Sequence, residues 1–186
     1  IDASFGYFIM PILSVFFGIL FLKESYSKLK ILSVLLVGIS VGYLLFNFAS
    51  VPWVGLIVAL TWSVYSLLRK KISVESDIGL LIESLYITPL ALIVFYLIAL
   101  DGNYYFSLSN PKIAFWLFLA GPMTVIPLFL FLKGVDLAGL GTSAMIFFIT
   151  PTCQFLLGAF YYNEYFDLNK LIGFIIIWIA VAIYLH

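Results

Sequence analysis

The chain of 186 residues is 65% hydrophobic and only 10% charged, whereas soluble domains are typically about 45–50% apolar and about 25% charged. A soluble globular domain is excluded, because a chain of this length cannot bury so much apolar surface in one core. A formal net charge of zero provides no basic field to attract nucleic acid, and one cysteine with one histidine cannot form a metal cluster.

Seven segments of the chain are apolar enough to be membrane-spanning helices, which need about 20 mostly apolar residues. The segments are apolar on every side instead of alternating with polar residues, so helices rather than barrel strands are predicted. The sequence therefore predicts an all-α integral membrane protein with seven transmembrane helices, at residues 5–22, 31–48, 53–68, 78–100, 113–132, 143–162 and 171–185.

Positive charge lies mostly on one side of these spans. Loops 23–30, 69–71 and 133–136 follow the first, third and fifth spans and contain seven of the nine lysine and arginine residues. Cytoplasmic loops of membrane proteins carry an excess of these residues. We therefore expect the three loops in the cytoplasm, and we term that face of the protein the lysine-rich side.

Two segments of the chain share an ungapped pattern of proline, glycine and glutamate. PILSVFFGILFLKE begins at Pro11, and PTCQFLLGAFYYNE begins at Pro151. Chance similarity between two apolar segments is the alternative to a duplication. Because the copies are the first and sixth spans, an odd number of crossings separates them and their orientations are opposite. The pattern therefore indicates an inverted-topology repeat, with matching positions Pro11, Gly18 and Glu24 in one copy and Pro151, Gly158 and Glu164 in the other.

The repeat divides the chain into two predicted domains. Residues 1–50 would hold the last two helices of a first five-helix repeat, and residues 51–186 would hold a complete second repeat. Three further helices would then precede residue 1, which makes ten helices in the intact protein.

These motifs resemble those of a known transporter family. The pattern P-x6-G-x5-E, with the segments ASFGYFIMPILSVFFGILFLKE and YSLLRKKISVESDIGLLIES, is similar to the RarD-like permeases of the EamA-type branch of the drug/metabolite transporter superfamily. The resemblance covers essentially the whole chain. It implies a multi-pass protein of the bacterial inner membrane, with ten helices in a 5+5 inverted repeat.

The resemblance also implies a function. A secondary-active permease or exporter of small organic solutes would work by alternating access around a polar cavity between the repeats. Its partners would be a small-molecule substrate and the lipid bilayer, with no cofactor and no nucleic acid. A non-transporting membrane scaffold or partner subunit is the alternative. An enzyme is disfavoured, because it would need convergent acids, bases or metal ligands, and only Glu83 is available with no histidine within a predicted span. The sequence also contains no G-x4-G-K-S/T loop that would indicate coupling to ATP.

Glu83 is a carboxylate predicted inside the fourth span. A charge at the bilayer centre costs about 2.5–3.5 kcal/mol on insertion scales, so such residues usually face a cavity or a partner. One hypothesis is a cation-binding or proton-titrating carboxylate on the substrate path. The alternative is a carboxylate at the cytoplasmic rim that pairs with Arg69, Lys70 or Lys71.

Polar residues on the two proline-containing spans form matching faces. We expect these faces to line the central cavity, with Tyr7, Thr150 and Gln154 contacting substrate. The alternative is that Thr150 and Gln154 bond neighbouring helices, since Gln154 is expected to be buried and a buried amide needs partners. The faces comprise Tyr7, Ser14 and Gly18 in the first span and Thr150, Gln154 and Gly158 in its copy. Trp62 and Tyr65 of the third span are weaker candidates for substrate contacts.

The prolines and glutamates of the repeat are predicted to have structural roles. Pro11 and Pro151 each free the carbonyl four residues earlier, so each should bend its helix and act as a hinge. Glu24 and Glu164 end their spans, where a carboxylate can accept bonds from the amino-terminal amides of the next helix. A direct transport role is the alternative for both glutamates.

A G-x3-G motif in the second span is formed by Gly38 and Gly42. Small residues at this spacing let helices approach closely. The face would therefore pack within the bundle or form a homodimer.

Overall fold

The computed structural model describes residues 2–46, 53–72, 74–100, 102, 110–162 and 168–186. Within these residues the chain is helical with short connections. A helix satisfies its own backbone hydrogen bonds, which surrounding hydrocarbon cannot do. The helices are α1 (Asp2–Leu22), α2 (Lys28–Phe46), α3 (Trp53–Ile72), α4 (Ser76–Leu100), α5 (Pro111–Ala138), α6 (Leu140–Ile146), α7 (Ile149–Phe160) and α8 (Leu168–Leu185).

Helical structure lies at all seven predicted spans. Among the described residues, four stretches are long and apolar enough to cross a membrane, namely Lys28–Phe46, Ser76–Leu100, Pro111–Ala138 and Leu140–Gly158. Two further apolar stretches, Gly6–Leu22 and Leu171–Leu185, are shorter. The prediction of an all-helical chain with segments of membrane-spanning length is therefore confirmed.

The chain forms two compact units. The first comprises Ile1–Ile72 and Gly134–His186, and the second comprises Ser73–Lys133. In the first unit α1 packs along α3, α2 packs along α8, and α6 lies against α1. The core of the first unit consists of Phe8, Val15, Val37, Val41, Leu44, Met145, Phe148, Phe174, Ile177, Ala180 and Tyr184.

The predicted division into repeats is a different division from these compact units. Its boundary, between residues 50 and 51, lies outside the described residues. The two-repeat organisation therefore stays a prediction.

Two helix pairs of the first unit approach closely at glycines. A Cβ atom on Gly6 of α1 would lie 2.8 Å from the backbone carbonyl oxygen of Gly55 in α3. A Cβ atom on Gly173 of α8 would lie 2.7 Å from the Leu44 side chain of α2. The Ser40 hydroxyl of α2 also donates to the Gly173 carbonyl at 2.7 Å. Small residues and one hydroxyl bond thus hold these helices together, as is common in membrane bundles.

The predicted G-x3-G face makes no such contact. A Cβ atom on Gly38 or Gly42 would meet no heavy atom of the described chain within 4 Å. Helix α2 instead approaches α8 through Ser40 and Leu44. Packing of the G-x3-G face within the bundle is thus not observed among the described residues, and the homodimer stays a prediction.

The second unit contains α4 and most of α5, and both helices expose large apolar side chains. Leu85, Leu92 and Phe118, for example, are each more than half exposed. Both helices contain proline, at Pro89 in α4 and at Pro122 and Pro127 in α5. An outer surface of this kind suits hydrocarbon rather than water, and proline is tolerated in such helices.

The sixth predicted span is interrupted. Helices α6 and α7 are separated by a turn at Phe147 and Phe148. Pro151 has no N–H group to donate to the Phe147 carbonyl, which accepts the Thr150 N–H at 3.0 Å instead. The sixth predicted span is present as the helical stretch Leu140–Gly158, which contains this two-residue turn, and the distortion lies where Pro151 was expected to cause it.

The other proline-containing span is continuous. Helix α1 runs through Pro11 without interruption. The two copies of the proposed repeat therefore differ at their prolines, and a hinge at Pro11 stays a prediction.

Candidate functional site

Four aromatic side chains meet beside the break between α6 and α7. The centroid of the Phe147 ring lies 6.0 Å from that of Tyr7 in α1 and 6.4 Å from that of Trp62 in α3. The Trp62 ring in turn lies 6.0 Å from the ring of Tyr65. We term Tyr7, Trp62, Tyr65 and Phe147 the aromatic cluster. Three of its members are predicted substrate contacts, and the fourth, Phe147, occupies the position of Tyr7 in the other copy of the repeat.

All four side chains of the aromatic cluster are half-buried, so each keeps part of its surface open. Aromatic faces attract other rings by about 0.5–1.5 kcal/mol and cations by about 0.5–2 kcal/mol. In transporters, interrupted helices commonly form the substrate site. The aromatic cluster is therefore the candidate functional site.

Thr150 and Gln154 lie on α7, beyond the break. Thr150 is half-buried, and its backbone N–H belongs to the turn described above. The Gln154 side chain is exposed, so the expectation that it is buried is wrong. The polar bond from α7 to its neighbour comes instead from Thr152, whose hydroxyl accepts the indole N–H of Trp178 at 2.9 Å. Thr152 escaped the sequence reasoning because it lies off the face that the repeat singled out.

Ser14 ties α1 to α3. Its side chain is 1% exposed and donates to the Ser63 hydroxyl at 3.3 Å, and Ser63 donates to the Met10 carbonyl at 3.2 Å. These bonds fix the two helices that carry Tyr7 and Trp62. A direct contact between Ser14 and substrate stays a prediction.

The Glu24 carboxylate lies at the start of α6. Its two oxygens accept the N–H groups of Leu140 and Gly141 at 2.8 and 3.3 Å, and the Tyr26 hydroxyl donates to the same carboxylate. The expectation that Glu24 binds the next helix is wrong, because the partner lies 116 residues away. The kind of interaction is the predicted one, since the first amides of a helix lack intrahelical acceptors. We term Glu24, Tyr26 and these two amides the Glu24 junction.

Three glycines make room for the Glu24 junction. A Cβ atom on Gly18 would lie 2.7 Å from a Glu24 carboxylate oxygen, and one on Gly139 would lie 2.9 Å from the other. A Cβ atom on Gly141 would clash with the Tyr26 hydroxyl. Gly139 also has a φ of +88°, a conformation that glycine adopts without strain.

Lys70 caps the helix that precedes α6. Its Nζ donates to the carbonyl oxygens of Val135 and Asp136, in the last turn of α5, at 3.0 and 2.9 Å. Helix carboxyl ends carry partial negative charge and amino ends partial positive charge. The positive charge of Lys70 therefore lies at the carboxyl end of α5, and the negative charge of Glu24 lies at the amino end of α6, on the other side of Gly139.

Tyr26 lies in the loop between α1 and α2. Burial raises the pKa of Tyr26 far above its ordinary value of 10.0, and the hydrogen bond to Glu24 and the charge of Glu24 raise it further. The phenol therefore keeps its proton and remains a donor to Glu24.

The remaining predicted residues lie apart from these two sites or outside the described chain. Glu83 is half-buried on α4 in the second unit, and its coupling role stays a prediction. Gly158 is half-buried in α7, whereas Glu164 lies outside the described residues. Within the described part of the chain, no group of three or more histidine, cysteine, aspartate or glutamate residues could hold a metal ion.

Comparison with known proteins identifies relatives over the whole chain. The model of the EamA-like transporter family matches residues 50–185. Protein RarD of Escherichia coli (strain K12) is 34% identical over 184 residues, which cover 99% of this chain and 62% of the relative. An uncharacterized transporter of Vibrio cholerae is 38% identical over 184 residues, which cover 99% of this chain and 61% of the relative. The chloramphenicol-sensitive protein RarD of Pseudomonas aeruginosa is 25% identical over 183 residues, which cover 98% of this chain and 60% of the relative. No solved structure matches the chain.

The protein belongs to the EamA-like transporter family, since that match covers most of the chain. It is therefore a multi-pass membrane protein of a bacterial transporter family and not an enzyme. The resemblance to RarD-like proteins is confirmed. The chain spans about 62% of the length of the curated relatives that it matches.

Proposed function

We propose that the protein acts in secondary-active transport of small organic solutes, with the aromatic cluster as part of the substrate site. One observation carries this proposal: in a chain of a transporter family, four half-buried rings meet where a membrane-spanning helix is interrupted. Interrupted helices near the bilayer midplane form the substrate sites of many secondary transporters.

The contact between Tyr7 and Phe147 supports the inverted repeat. The two residues occupy matching positions in the two copies of the proline pattern, and their ring centroids lie 6.0 Å apart. In an inverted repeat, matching residues meet only near the pseudo-two-fold axis, where substrates bind. The contact thus favours repeats divided at residues 50 and 51 within a ten-helix protein, and the family match over residues 50–185 supports the same division.

The lining of the cluster favours solutes with a planar or extended apolar part. Stacking on Tyr7, Trp62 and Phe147 would hold such a group, and a cationic group would also be attracted. The name of the Pseudomonas aeruginosa relative makes chloramphenicol one solute to test. We place the protein in the bacterial inner membrane with its lysine-rich side in the cytoplasm, and Glu83 remains the proposed carboxylate for ion coupling.

Uptake into liposomes tests this function. The intact protein is expected to give saturable, gradient-following uptake of at least one solute from a panel of radiolabelled amino acids, sugars and antibiotics, including chloramphenicol. Trp62→Leu should raise the KM for that solute roughly threefold to tenfold, because it removes a ring contact of about 0.5–1.5 kcal/mol.

A matched substitution controls for the loss of a tryptophan. Trp116 is 57% exposed on α5 in the second unit, so Trp116→Leu should leave the KM unchanged. Equal effects of the two substitutions would exclude the aromatic cluster as the substrate site. Saturable uptake of no solute in the panel would argue against transport itself.

A further inference from the structure

We propose that Glu24 and Tyr26 are positioning residues for the aromatic cluster. By capping the start of α6 on the lysine-rich side, they set the position of Phe147 at the other end of the same helix. Opening or closing of the protein at the lysine-rich side would then change the arrangement of the four rings of the aromatic cluster. This inference rests on the proposed function and adds a conformational coupling to it.

Helix α6 is a short connection between the two sites. It has seven residues, and its buried members are Leu140, Gly141, Ser143, Ala144 and Met145. A helix of this length rises roughly 10 Å. So short a helix is not stable alone, so contacts at its ends and sides determine where it lies.

The start of α6 depends on a residue from elsewhere in the chain. Its N-cap residue, Gly139, makes no side-chain bond to the first turn. Leu140 and Gly141 are buried, and the Glu24 carboxylate accepts both of their N–H groups. Without Glu24 these buried donors would lose the acceptor that the structure provides. Their position therefore follows that of Glu24.

Tyr26 holds the carboxylate in place. Its hydroxyl donates to Glu24, and its ring lies 6.2 Å from the ring of Tyr184, which is fully buried in α8. The Lys30 ammonium lies 5.0 Å from the centroid of the Tyr184 ring. The Glu24 junction thus joins the start of α6 to α1, where the carboxylate lies over Gly18, and through the Tyr26 ring to α8.

The other end of α6 carries Phe147 directly. The Phe147 N–H donates to the carbonyls of Ser143 and Ala144 at 3.2 and 3.1 Å, so the residue remains bonded to the last turn of α6. Any displacement of α6 therefore moves the Phe147 ring relative to Tyr7 and Trp62, which belong to other helices.

Cysteine labelling tests both ends of this coupling. The chain has one cysteine, Cys153, which is exposed on α7. Reporters Ser143→Cys, in buried α6, and Thr150→Cys, beyond the break, are placed separately in a Cys153→Ala background of the intact protein in liposomes. Each is combined with Glu24→Gln, with Tyr26→Phe and, as a control, with Glu75→Gln, which removes an exposed carboxylate in the second unit. The rate of reaction with N-ethylmaleimide is measured.

Without the cap, α6 should leave its buried position more often and expose residue 143 to the reagent. Glu24→Gln should raise the labelling rate of Ser143→Cys about tenfold, which corresponds to about 1.4 kcal/mol in the opening equilibrium. Tyr26→Phe keeps the ring and should raise the rate less. The rate at Thr150→Cys should change in both variants, and Glu75→Gln should change neither reporter. Glu24→Asp retains the carboxylate and should give rates between those of the unmodified protein and Glu24→Gln.

Each contrary result overturns the proposal in a recognisable way. Unchanged labelling of Ser143→Cys in Glu24→Gln and Tyr26→Phe would mean that these residues do not hold α6. Faster labelling of Ser143→Cys with no change at Thr150→Cys would mean that the cap is local and not coupled to the cluster. Labelling requires no substrate, so a failed uptake panel leaves this result intact. Saturable uptake with unchanged labelling would remove this inference alone.

Discussion

At the scale of single residues, the spacing of glycine and glutamate in the repeat has a physical reason. The chain turns back after α1 at Lys23, which has a φ of 54°, and the Glu24 N–H donates to the Gly18 carbonyl at 3.0 Å. The Glu24 side chain then passes over Gly18, where a Cβ atom would lie 2.7 Å from its oxygen. The pattern G-x5-E thus describes one turn in which glycine makes room for the carboxylate.

The raised pKa of Tyr26 predicts how stability depends on alkaline pH. The folded protein holds the Tyr26 proton more tightly than the unfolded chain does, with its ordinary pKa of 10.0. The contribution of Tyr26 to stability is therefore complete below about pH 10 and decreases as the pH rises further toward the folded-state pKa. We expect Tyr26→Phe to lessen the loss of thermal stability between pH 9 and pH 11 in detergent.

A second tyrosine controls for removal of a hydroxyl group. Tyr96 is 63% exposed on α4, so Tyr96→Phe removes a hydroxyl outside the Glu24 junction. The loss of thermal stability between pH 9 and pH 11 should be smaller in Tyr26→Phe than in Tyr96→Phe. Identical stability curves for Tyr26→Phe and the unmodified protein across this pH range would contradict it.

Sequence reasoning at this scale recognised residue types better than partners. The position of Glu24 at the end of a span predicts that it binds amide groups at a helix start, because a carboxylate there can accept bonds from those amides. Its actual partners lie 116 residues away, and hydropathy or spacing in a single sequence does not encode such a contact. The two glycines of the AGLGT segment, Gly139 and Gly141, mark this close approach, but they lie outside the repeated pattern of proline, glycine and glutamate.

At the scale of helices, the two prolines of the repeat show that loss of the same backbone hydrogen bond does not always interrupt a helix. Pro151 removes the same hydrogen bond as Pro11, yet α7 is separated from α6 while α1 continues. Neighbouring contacts therefore decide whether a helix breaks. Helix positions were predictable because long apolar runs are rare outside membranes, whereas the break depends on packing that the sequence does not show.

The close approach of α1 and α3 predicts that a larger residue at Gly6 destabilises the protein. Gly6→Ala places a methyl group 2.8 Å from the Gly55 carbonyl oxygen, a backbone atom that cannot move alone. We expect it to destabilise the protein by about 1–3 kcal/mol, as overpacking typically does.

The matched control for that prediction is Gly38→Ala. A methyl group at Gly38 meets nothing of the described chain within 4 Å, so this substitution should be neutral or stabilising by up to about 1 kcal/mol. Both changes are measured as free energies of unfolding in mixed micelles. A larger loss at Gly38 than at Gly6 would show that α2 packs against a partner on that face, as in a homodimer.

At the scale of the whole molecule, composition predicts the class of protein and the charge pattern predicts its orientation in the membrane. Composition was sufficient to predict a membrane protein, because 65% hydrophobic residues leave no soluble alternative for 186 residues. The division into compact units was not predictable, since it depends on which helices touch. Opposite orientation of the two repeat copies rests on counting spans, and it can be measured directly.

Single cysteines report the orientation of the two copies. In a Cys153→Ala background, Ser25→Cys beside Glu24 should react with an impermeant maleimide only from the cytoplasmic side. Asn163→Cys beside Glu164, a position outside the described residues, should react only from the opposite side. These outcomes follow from the positive-inside rule and the odd number of crossings. Reaction of both cysteines from one side would exclude the inverted repeat.

The shortness of α6 has an electrical consequence for any charged solute. If α6 begins at the lysine-rich edge of the hydrocarbon layer, its seven residues carry the chain at most about 10 Å into a layer about 30 Å thick. The aromatic cluster, which also includes Tyr7 of α1, would then lie between about a third of the way across and the midplane, so a solute there would have crossed about a third to a half of the membrane potential from the cytoplasm. For a single charge at 100 mV this is about 0.8–1.2 kcal/mol out of a total of about 2.3 kcal/mol, so at least half of the voltage dependence belongs to the exchange with the other side.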